Sequence, residues 1–251
     1  MRLMKRILSA AAVLALSASL LVGCSSGTAS SVPVSASSAA ESTVSSVEET
    51  ASSAVDENEA AAAQLLNDLT GSYQELWPVI LADEYKQTWL DDCTALVGEE
   101  NAEAAFEKLS SMVMSDVYGE DAVEAYANGG GAYFCGFTNS LATLTFDGET
   151  STISGTDKDG NVLFSHTYHY IGMEPVRGLY EFESDDADSG EFTYFFLAPD
   201  TSAETYHIEF RYGSDAEALS QYDAGEYAYW LASGISTDCD QTMIDNCIEL
   251  F

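Results

Sequence analysis

The sequence predicts an α+β protein in which N-terminal helices precede an up-and-down antiparallel β-barrel and one further helix follows it. Three observations favour this class. Apolar residues recur with a helical period before Gly129-Gly130-Gly131 and with a period of two from Ala132 onward. Short turns rich in Asp and Gly join the later runs, which is typical of a meander. A last apolar stripe has helical spacing again, at Ile244, Cys247, Ile248 and Phe251.

Residues 1–23 are predicted to be a lipoprotein signal peptide. Basic residues at the start of the chain are followed by an apolar stretch, Ile7–Val22. Leu21-Val22-Gly23-Cys24 matches the bacterial lipobox, in which the cysteine is diacylated and becomes the new N-terminus. Two acyl chains give stable anchoring. We therefore expect a lipid-anchored protein on the extracytoplasmic face of the cell membrane.

Residues 24–56 are expected to form a disordered linker behind the lipidated Cys24, and residues 57–251 a single domain. Twelve of the 32 residues from 25 to 56 are serine, a composition that cannot bury enough apolar surface to fold. After residue 23 the chain has five basic and 42 acidic residues, a net charge of −37. Nucleic acid and anionic membrane surfaces are thereby excluded as electrostatic partners.

The first part of the domain is predicted to be helical. Ser72 and Glu75 fit a capping box, and Pro78 interrupts the helix one turn later. A second apolar stripe consists of Trp89, Leu90, Cys93 and Leu96. Two more helices are predicted over Ala104–Ser115 and Asp121–Ala127.

About seven strands are predicted for the barrel. They are Tyr133–Thr138, Leu141–Phe146, Thr150–Ser154, Val162–Tyr170, Gly178–Phe182, Glu191–Ala198 and Thr205–Tyr212. The turn at Asp157–Gly160 is interpreted as a plain hairpin turn rather than a calcium loop, because Val162 stands where such a loop requires glycine. A short helix, Ala216–Gln221, follows, and Asp238 with Gln241 is predicted to cap the final helix.

The order of these motifs from Leu69 to Phe251 resembles the ZinT (YodA) family of lipocalin-like zinc-recruitment domains. The chain has Arg177-Gly178-Leu179-Tyr180-Glu181-Phe182-Glu183, then Thr193–Pro199, then Thr205-Tyr206-His207-Ile208-Glu209-Phe210. The family has RGVRYLFE, a strand that ends in FSDH before an AP break, and HFHIF. The resemblance implies a lipocalin-like (calycin) barrel that binds zinc and assists its uptake, with components of a metal-import ABC transporter as partners.

The resemblance also implies where a metal would bind. Three histidines hold zinc in the family, and their positions fall on Phe195, Thr205 and His207, so that one histidine of three is retained. A strand would place His207 and Glu209 on one face, which makes Glu209 the candidate for a second ligand.

Asp200 and Glu204 are further candidates from the preceding loop. Imidazole with carboxylates suits zinc or manganese. The alternative is that His207 lines the barrel and bonds a tyrosine. His166 and His169 are three residues apart on one predicted strand, so we expect them on opposite faces and in structural roles.

Two functions from different classes follow. The first is a surface lipoprotein that binds zinc or another divalent metal. The second is a degenerate lipocalin-like module that binds a small organic ligand or acts as a surface interaction or scaffold protein. An enzyme is not expected, because the sequence has no nucleophile elbow, no phosphate-binding glycine loop and no Ser-His or Cys-His pairing in a recognisable context.

Four cysteines remain after Cys24, and in an oxidising compartment they allow three pairings. If Asp238–Leu250 is helical, Cys239 and Cys247 are about 12 Å apart along its axis, at ~1.5 Å per residue. A disulfide requires Cα atoms roughly 4.4–6.8 Å apart. We therefore expect these two cysteines not to pair with each other, and Cys93 and Cys135 to be their partners if they are oxidised.

Overall fold

The structure, a computed structural model, describes residues 57–131, 133–198 and 207–251. At its centre is a closed barrel of eight antiparallel strands, in which each strand pairs with the next and the last pairs with the first. The strands are β1 (Gly71–Glu75), β2 (Thr143–Asp147), β3 (Thr152–Thr156), β4 (Val162–Met173), β5 (Tyr180–Ser184), β6 (Tyr194–Leu197), β7 (His207–Gly213) and β8 (Ala232–Ser236).

Among the described residues, one α-helix precedes the barrel, four lie in the connection from β1 to β2, one lies between β7 and β8, and one follows β8. They are α1 (residues 57–68), α2 (Leu76–Ile80), α3 (Lys86–Val97), α4 (Glu99–Val113), α5 (Glu120–Ala127), α6 (Ala216–Leu219) and α7 (Gln241–Ile248). Within the described residues, no helix has the length and apolarity needed to span a bilayer. The architecture confirms the predicted lipocalin-like α+β class.

Aromatic side chains fill the interior of the barrel. Phe195 and Phe210 are fully buried, and their ring centroids are 6.4 Å apart. The rings of Phe164 and Phe192 stack with centroids 3.9 Å apart. Trp230 packs edge-to-face against Tyr212, with ring centroids 5.1 Å apart. The alternation of apolar and polar residues along each strand produces this filling, because every second side chain points inward.

A second apolar layer lies outside the barrel, between β8 and the helices. Helix α2 packs on β8 and on α7. Ile80, Ile235, Ile244 and Ile248 are all buried there. The outer side of β8 is therefore a helix-covered wall rather than a solvent-exposed surface.

Several predicted elements differ from the structure. Ser72 and Glu75 belong to strand β1 instead of a capping box, because Ser72 pairs with Thr145 and their hydroxyls are 2.8 Å apart. The predicted strand Tyr133–Thr138 contributes isolated bridges at Phe134. The N-cap of the last helix is Asp240, two residues later than the predicted Asp238, and its side chain accepts the Met243 N–H at 3.0 Å.

Two further predictions concern side chains. Leu96 does not continue the buried stripe of Trp89 and Cys93, since it is 72% exposed. The four cysteines after Cys24 are all free thiols. Cys239 precedes α7, so the helical spacing used to separate it from Cys247 does not apply. The predictions on Cys24, Asp200, Glu204 and Thr205 lie outside the described residues.

Candidate metal centre

Strand β7 separates its side chains into two rows. Ile208, Phe210 and Tyr212 are buried in the barrel core. His207 and Glu209 alternate with them and therefore lie on the outer face of the strand, each partly exposed. His207 thus does not line the interior, as the alternative sequence interpretation required. Its shared face with Glu209 is the one that the sequence predicted.

The surroundings of His207 follow from the pairing of β7 with β8. His207 lies opposite Ile235, and Ile208 lies opposite Gly234. A Cβ at Gly234 would be 3.1 Å from the Ile208 side chain, so this glycine faces the interior and permits close packing there. Ile235, one residue later, faces outward with His207 into the apolar layer beneath α2.

Glu209 lies beside a cysteine that the sequence did not connect with it. Ser233 is the register partner of Glu209, and its amide donates to the Cys135 carbonyl at 2.9 Å. Burial raises the pKa of the Cys135 thiol to about 12, and the charge of Glu209 raises it further. A hydrogen bond with the Trp77 side chain lowers this pKa and offsets part of the effect. The thiol is therefore protonated at neutral pH, and a metal would have to displace that proton in order to bind it.

Phe195, at one of the family's histidine positions, is on the other side of the barrel wall. It pairs with Tyr212, and the two rings stack at 5.4 Å in the core. His207 belongs to the outer row of β7. These two positions therefore do not point toward a common site in this chain, whichever residue occupies position 195.

The two other histidines each bond their own aspartate. His166 Nδ1 is 2.8 Å from Asp186 Oδ2, and His169 Nδ1 is 2.8 Å from Asp185 Oδ1. His166 lies near the rings of Phe164 and Tyr168 on the inward face of β4. The two histidine–aspartate pairs connect the turn after β5 to opposite faces of β4. The two histidines therefore do not point toward a common site.

The Asp157 turn uses its carboxylate internally. Asp157 Oδ1 accepts the N–H groups of Asp159 and Asn161 at 2.9 Å, and Oδ2 accepts the Asn161 side chain at 2.9 Å. These hydrogen bonds hold the pKa of Asp157 below its ordinary value. The geometry is that of a hairpin turn.

The described residues place two potential metal-binding side chains together. His207 and Glu209 offer an imidazole and a carboxylate on one face. Across residues 57–131, 133–198 and 207–251, no three His, Cys, Asp or Glu side chains are arranged to hold a metal ion. Sequence reasoning missed Cys135 because its proximity to Glu209 arises from a connection more than 70 residues away, and no local pattern records that contact.

The fold is a lipocalin-like barrel, and His207 and Glu209 lie side by side on the outer face of one of its strands. No protein-family model and no curated protein matches the chain. Among solved structures, the chain is similar to the Zn(II)-bound ZinT-like domain of Streptococcus pneumoniae AdcA, with 15% identity and a TM-score of 0.47 over 73% of this chain and 89% of that one. Zn(II)-bound AdcA from the same organism gives 15% identity and a TM-score of 0.44, over 72% of this chain and 34% of that one. This chain thus spans about a third of the AdcA chain.

Proposed function

We propose that the protein is a lipid-anchored extracytoplasmic lipoprotein that binds zinc, or a related divalent metal such as manganese, and assists its uptake. His207 and Glu209 are the proposed ligands, and Cys24 is the proposed lipidation site. The role is one of binding and delivery rather than catalysis. Components of a metal-import ABC transporter are the proposed partners.

One observation carries the metal proposal: His207 and Glu209 are neighbours in the outer row of β7. Alternate residues of a strand project from the same side, so the imidazole and the carboxylate can reach one ion. Nitrogen and oxygen donors of this kind suit zinc and manganese. The segment 199–206, with Asp200 and Glu204, enters β7 directly before His207 and is the proposed source of a further ligand.

The packing of the barrel weakens the second function class. A lipocalin-type ligand occupies the lumen, but here the described interior contains stacked rings, including Phe164 on Phe192 and Phe195 on Tyr212. An organic ligand in the lumen would have to displace these side chains. The proposed ligands His207 and Glu209 lie outside this aromatic core, and each is partly exposed.

The metal proposal is tested by the metal content of the protein purified without chelators and without a histidine tag. We expect near-stoichiometric zinc or manganese in the parent protein and a loss of it in a His207→Ala variant. A His169→Ala variant is the matched control, since His169 is an exposed histidine on another strand. Equal metal in all three proteins would indicate diffuse binding to the acidic surface and contradict the proposal.

The anchoring proposal has a separate test. In cells, the parent protein should fractionate with the membrane and partition into detergent, and a Cys24→Ser variant should lose both properties. A Cys239→Ser variant controls for the removal of a thiol. If the Cys24→Ser variant stays with the membrane, lipidation at this residue is wrong.

A further inference from the structure

The hairpin that joins β4 to β5 presents apolar side chains to solvent. Ile171 is 41% exposed, Met173 is 36% exposed and Val176 is 64% exposed. Single exposed apolar residues are ordinary on a protein surface, whereas several together indicate a contact surface. Residues 171–177, which we call the hairpin tip, contain all three of these side chains.

The hairpin tip has no exposed carboxylate, although the chain as a whole is strongly acidic. Glu174 is the only acidic residue between positions 170 and 180. It is 1% exposed, and its two carboxylate oxygens accept the N–H groups of Val176 and Arg177 at 2.8 and 2.6 Å. Arg177 is partly exposed, and its guanidinium carbon lies 4.2 Å from the centroid of the Tyr222 ring. The tip therefore combines apolar side chains with one basic group.

Strand order and register place the hairpin tip at one end of the barrel. Each strand runs antiparallel to the next, so the end of β4 lies at the same end of the barrel as the turn between β2 and β3. Val162 and Leu163, at the start of β4, are also exposed. They lie at the opposite end of the barrel, where β3 ends.

Helix α1 lies at the same end of the barrel as the hairpin tip. A Cβ at Gly148, in the turn between β2 and β3, would be only 2.4 Å from the Asn67 Cα of this helix. The first turn of α1 approaches β4, since burial, followed by nearby acidic groups that include Glu59, raises the pKa of Tyr170. Tyr170 directly precedes the hairpin tip. The first turn of α1 is therefore near the base of the hairpin.

We propose that the hairpin tip rests on the surface of the lipid bilayer that holds Cys24. This inference rests on the proposed lipidation of that cysteine. The 32 residues from 25 to 56 connect Cys24 to the domain, and a flexible chain of this length has a root-mean-square span of roughly 30 Å. A tether of this span keeps the domain close to the bilayer, and its attachment beside the hairpin favours contact through that end.

The chemistry of the hairpin tip suits a lipid surface better than it suits a second copy of the chain. Exposed apolar side chains gain by entering the boundary between headgroups and acyl chains. Arg177 supplies a guanidinium for headgroup phosphates, and the tip adds no exposed carboxylate that those phosphates would repel. Two copies of the chain repel each other, because each carries a net charge of −37 after residue 23.

The test uses the mature chain, residues 24–251, coupled through Cys24 to a maleimide lipid in phosphatidylcholine nanodiscs that contain a nitroxide-labelled lipid. Cys239→Ser removes the partly exposed thiol, and the other three described cysteines are buried. The nitroxide broadens the NMR signals of methyl groups that are close to the bilayer. We expect it to broaden the methyl signals of Ile171 and Val176 several times more than those of Val162.

Two substitutions at opposite ends of β4 sharpen the test. Val176→Asp places a charge on the hairpin tip and should abolish the excess broadening at Ile171. Val162→Asp is the matched control, since Val162 is 70% exposed at the other end of the barrel, and it should leave the broadening at Ile171 unchanged. Thermal unfolding of each variant shows whether it is folded.

Three results would overturn the proposal. The first is equal broadening at the two ends of β4, and the second is the same broadening at Ile171 in both variants. The third is a shift of the signals of the hairpin tip with protein concentration in the untethered protein, which would make the tip a contact between copies. Because the tether is chemical, these outcomes do not depend on lipidation in cells, which the fractionation of the Cys24→Ser variant tests separately.

Discussion

Phe195 on β6 lies directly opposite Tyr212 on β7, and their rings stack inside the barrel with centroids 5.4 Å apart. Because the two side chains face inward, Phe195 is separated by the barrel wall from the outward-facing His207. A histidine at position 195 would therefore enter the aromatic core and not the proposed metal site at His207.

A Phe195→His variant tests this separation. We expect it to lower the free energy of unfolding by about 2–4 kcal/mol, because a large apolar ring is replaced by a smaller polar one in the core. We expect zinc affinity to be unchanged. Urea denaturation measures the first effect and calorimetry the second, with Phe195→Leu as the control for lost volume. A gain in zinc affinity would show that positions 195 and 207 do converge.

The turn between β2 and β3 packs closely against the backbone of helix α1. An added Cβ at Gly148 would lie 2.4 Å from the Asn67 Cα and 2.5 Å from the Leu66 carbonyl oxygen. Gly148→Ala should therefore destabilise the protein by about 1–3 kcal/mol, since backbone must move. Gly172→Ala is the matched control, because its nearest contact is an ordinary 3.8 Å. Equal urea midpoints for the two variants would contradict this packing of α1.

Arg211 holds the segment between α6 and β8 on the barrel wall through three backbone carbonyl groups. Arg211→Leu leaves these carbonyls buried without donors, and we expect a loss of about 2–4 kcal/mol in the free energy of unfolding. Arg177→Leu removes a partly exposed stacking contact only, and it should cost less than about 1 kcal/mol. Denaturation curves that rank the two variants in the opposite order would refute the anchoring role.

Glu181 makes the stability of the folded protein depend on pH, and the sign of this dependence follows from its raised pKa. Its ordinary value is 4.5, and burial with the Glu174 charge raises it in the folded protein. The folded state therefore disfavours the ionised form, and stability present below pH 4.5 is partly lost as the pH rises through the folded pKa.

Glu181→Gln should accordingly be slightly more stable than the parent at pH 7 and equal to it near pH 3.5. The gain should be modest, because solvent screens this partly exposed group. Thermal unfolding at both pH values measures it, and Glu217→Gln is an exposed control. A destabilised Glu181→Gln protein at pH 7 would contradict the interpretation.

Local sequence patterns predicted strands β2 to β7. Strands β1 and β8 are formed by long-range pairing that local patterns do not show. Strands β2 to β7 have alternating apolar residues and clear turns, so the sequence located them. Residues 71–75 carry a helix-cap pattern, and only their pairing with β2 and β8 makes them a strand. Strand β8 consists mainly of small residues, Ala232–Ser236, and has too few large side chains for a strand pattern.

The same division holds at the candidate site. Strand periodicity predicted that His207 and Glu209 share a face, because that relationship lies within one strand. The position of Cys135 beside Glu209 depends on a loop whose Cys135 carbonyl accepts the Ser233 amide of β8. The stack of Arg177 and Arg211 on Tyr222 likewise joins three distant segments. Such contacts are set by tertiary packing and leave no mark in the local sequence.

The most direct test of the metal site is a calorimetric titration of zinc into the full chain carrying Cys24→Ser, with and without His207→Ala. We expect saturable binding that weakens at least tenfold in the variant, about 1.4 kcal/mol, and that also weakens as the pH is lowered, because only neutral imidazole coordinates. His169→Ala should bind like the parent. Equal zinc affinity in the parent and the His207→Ala variant would contradict the account.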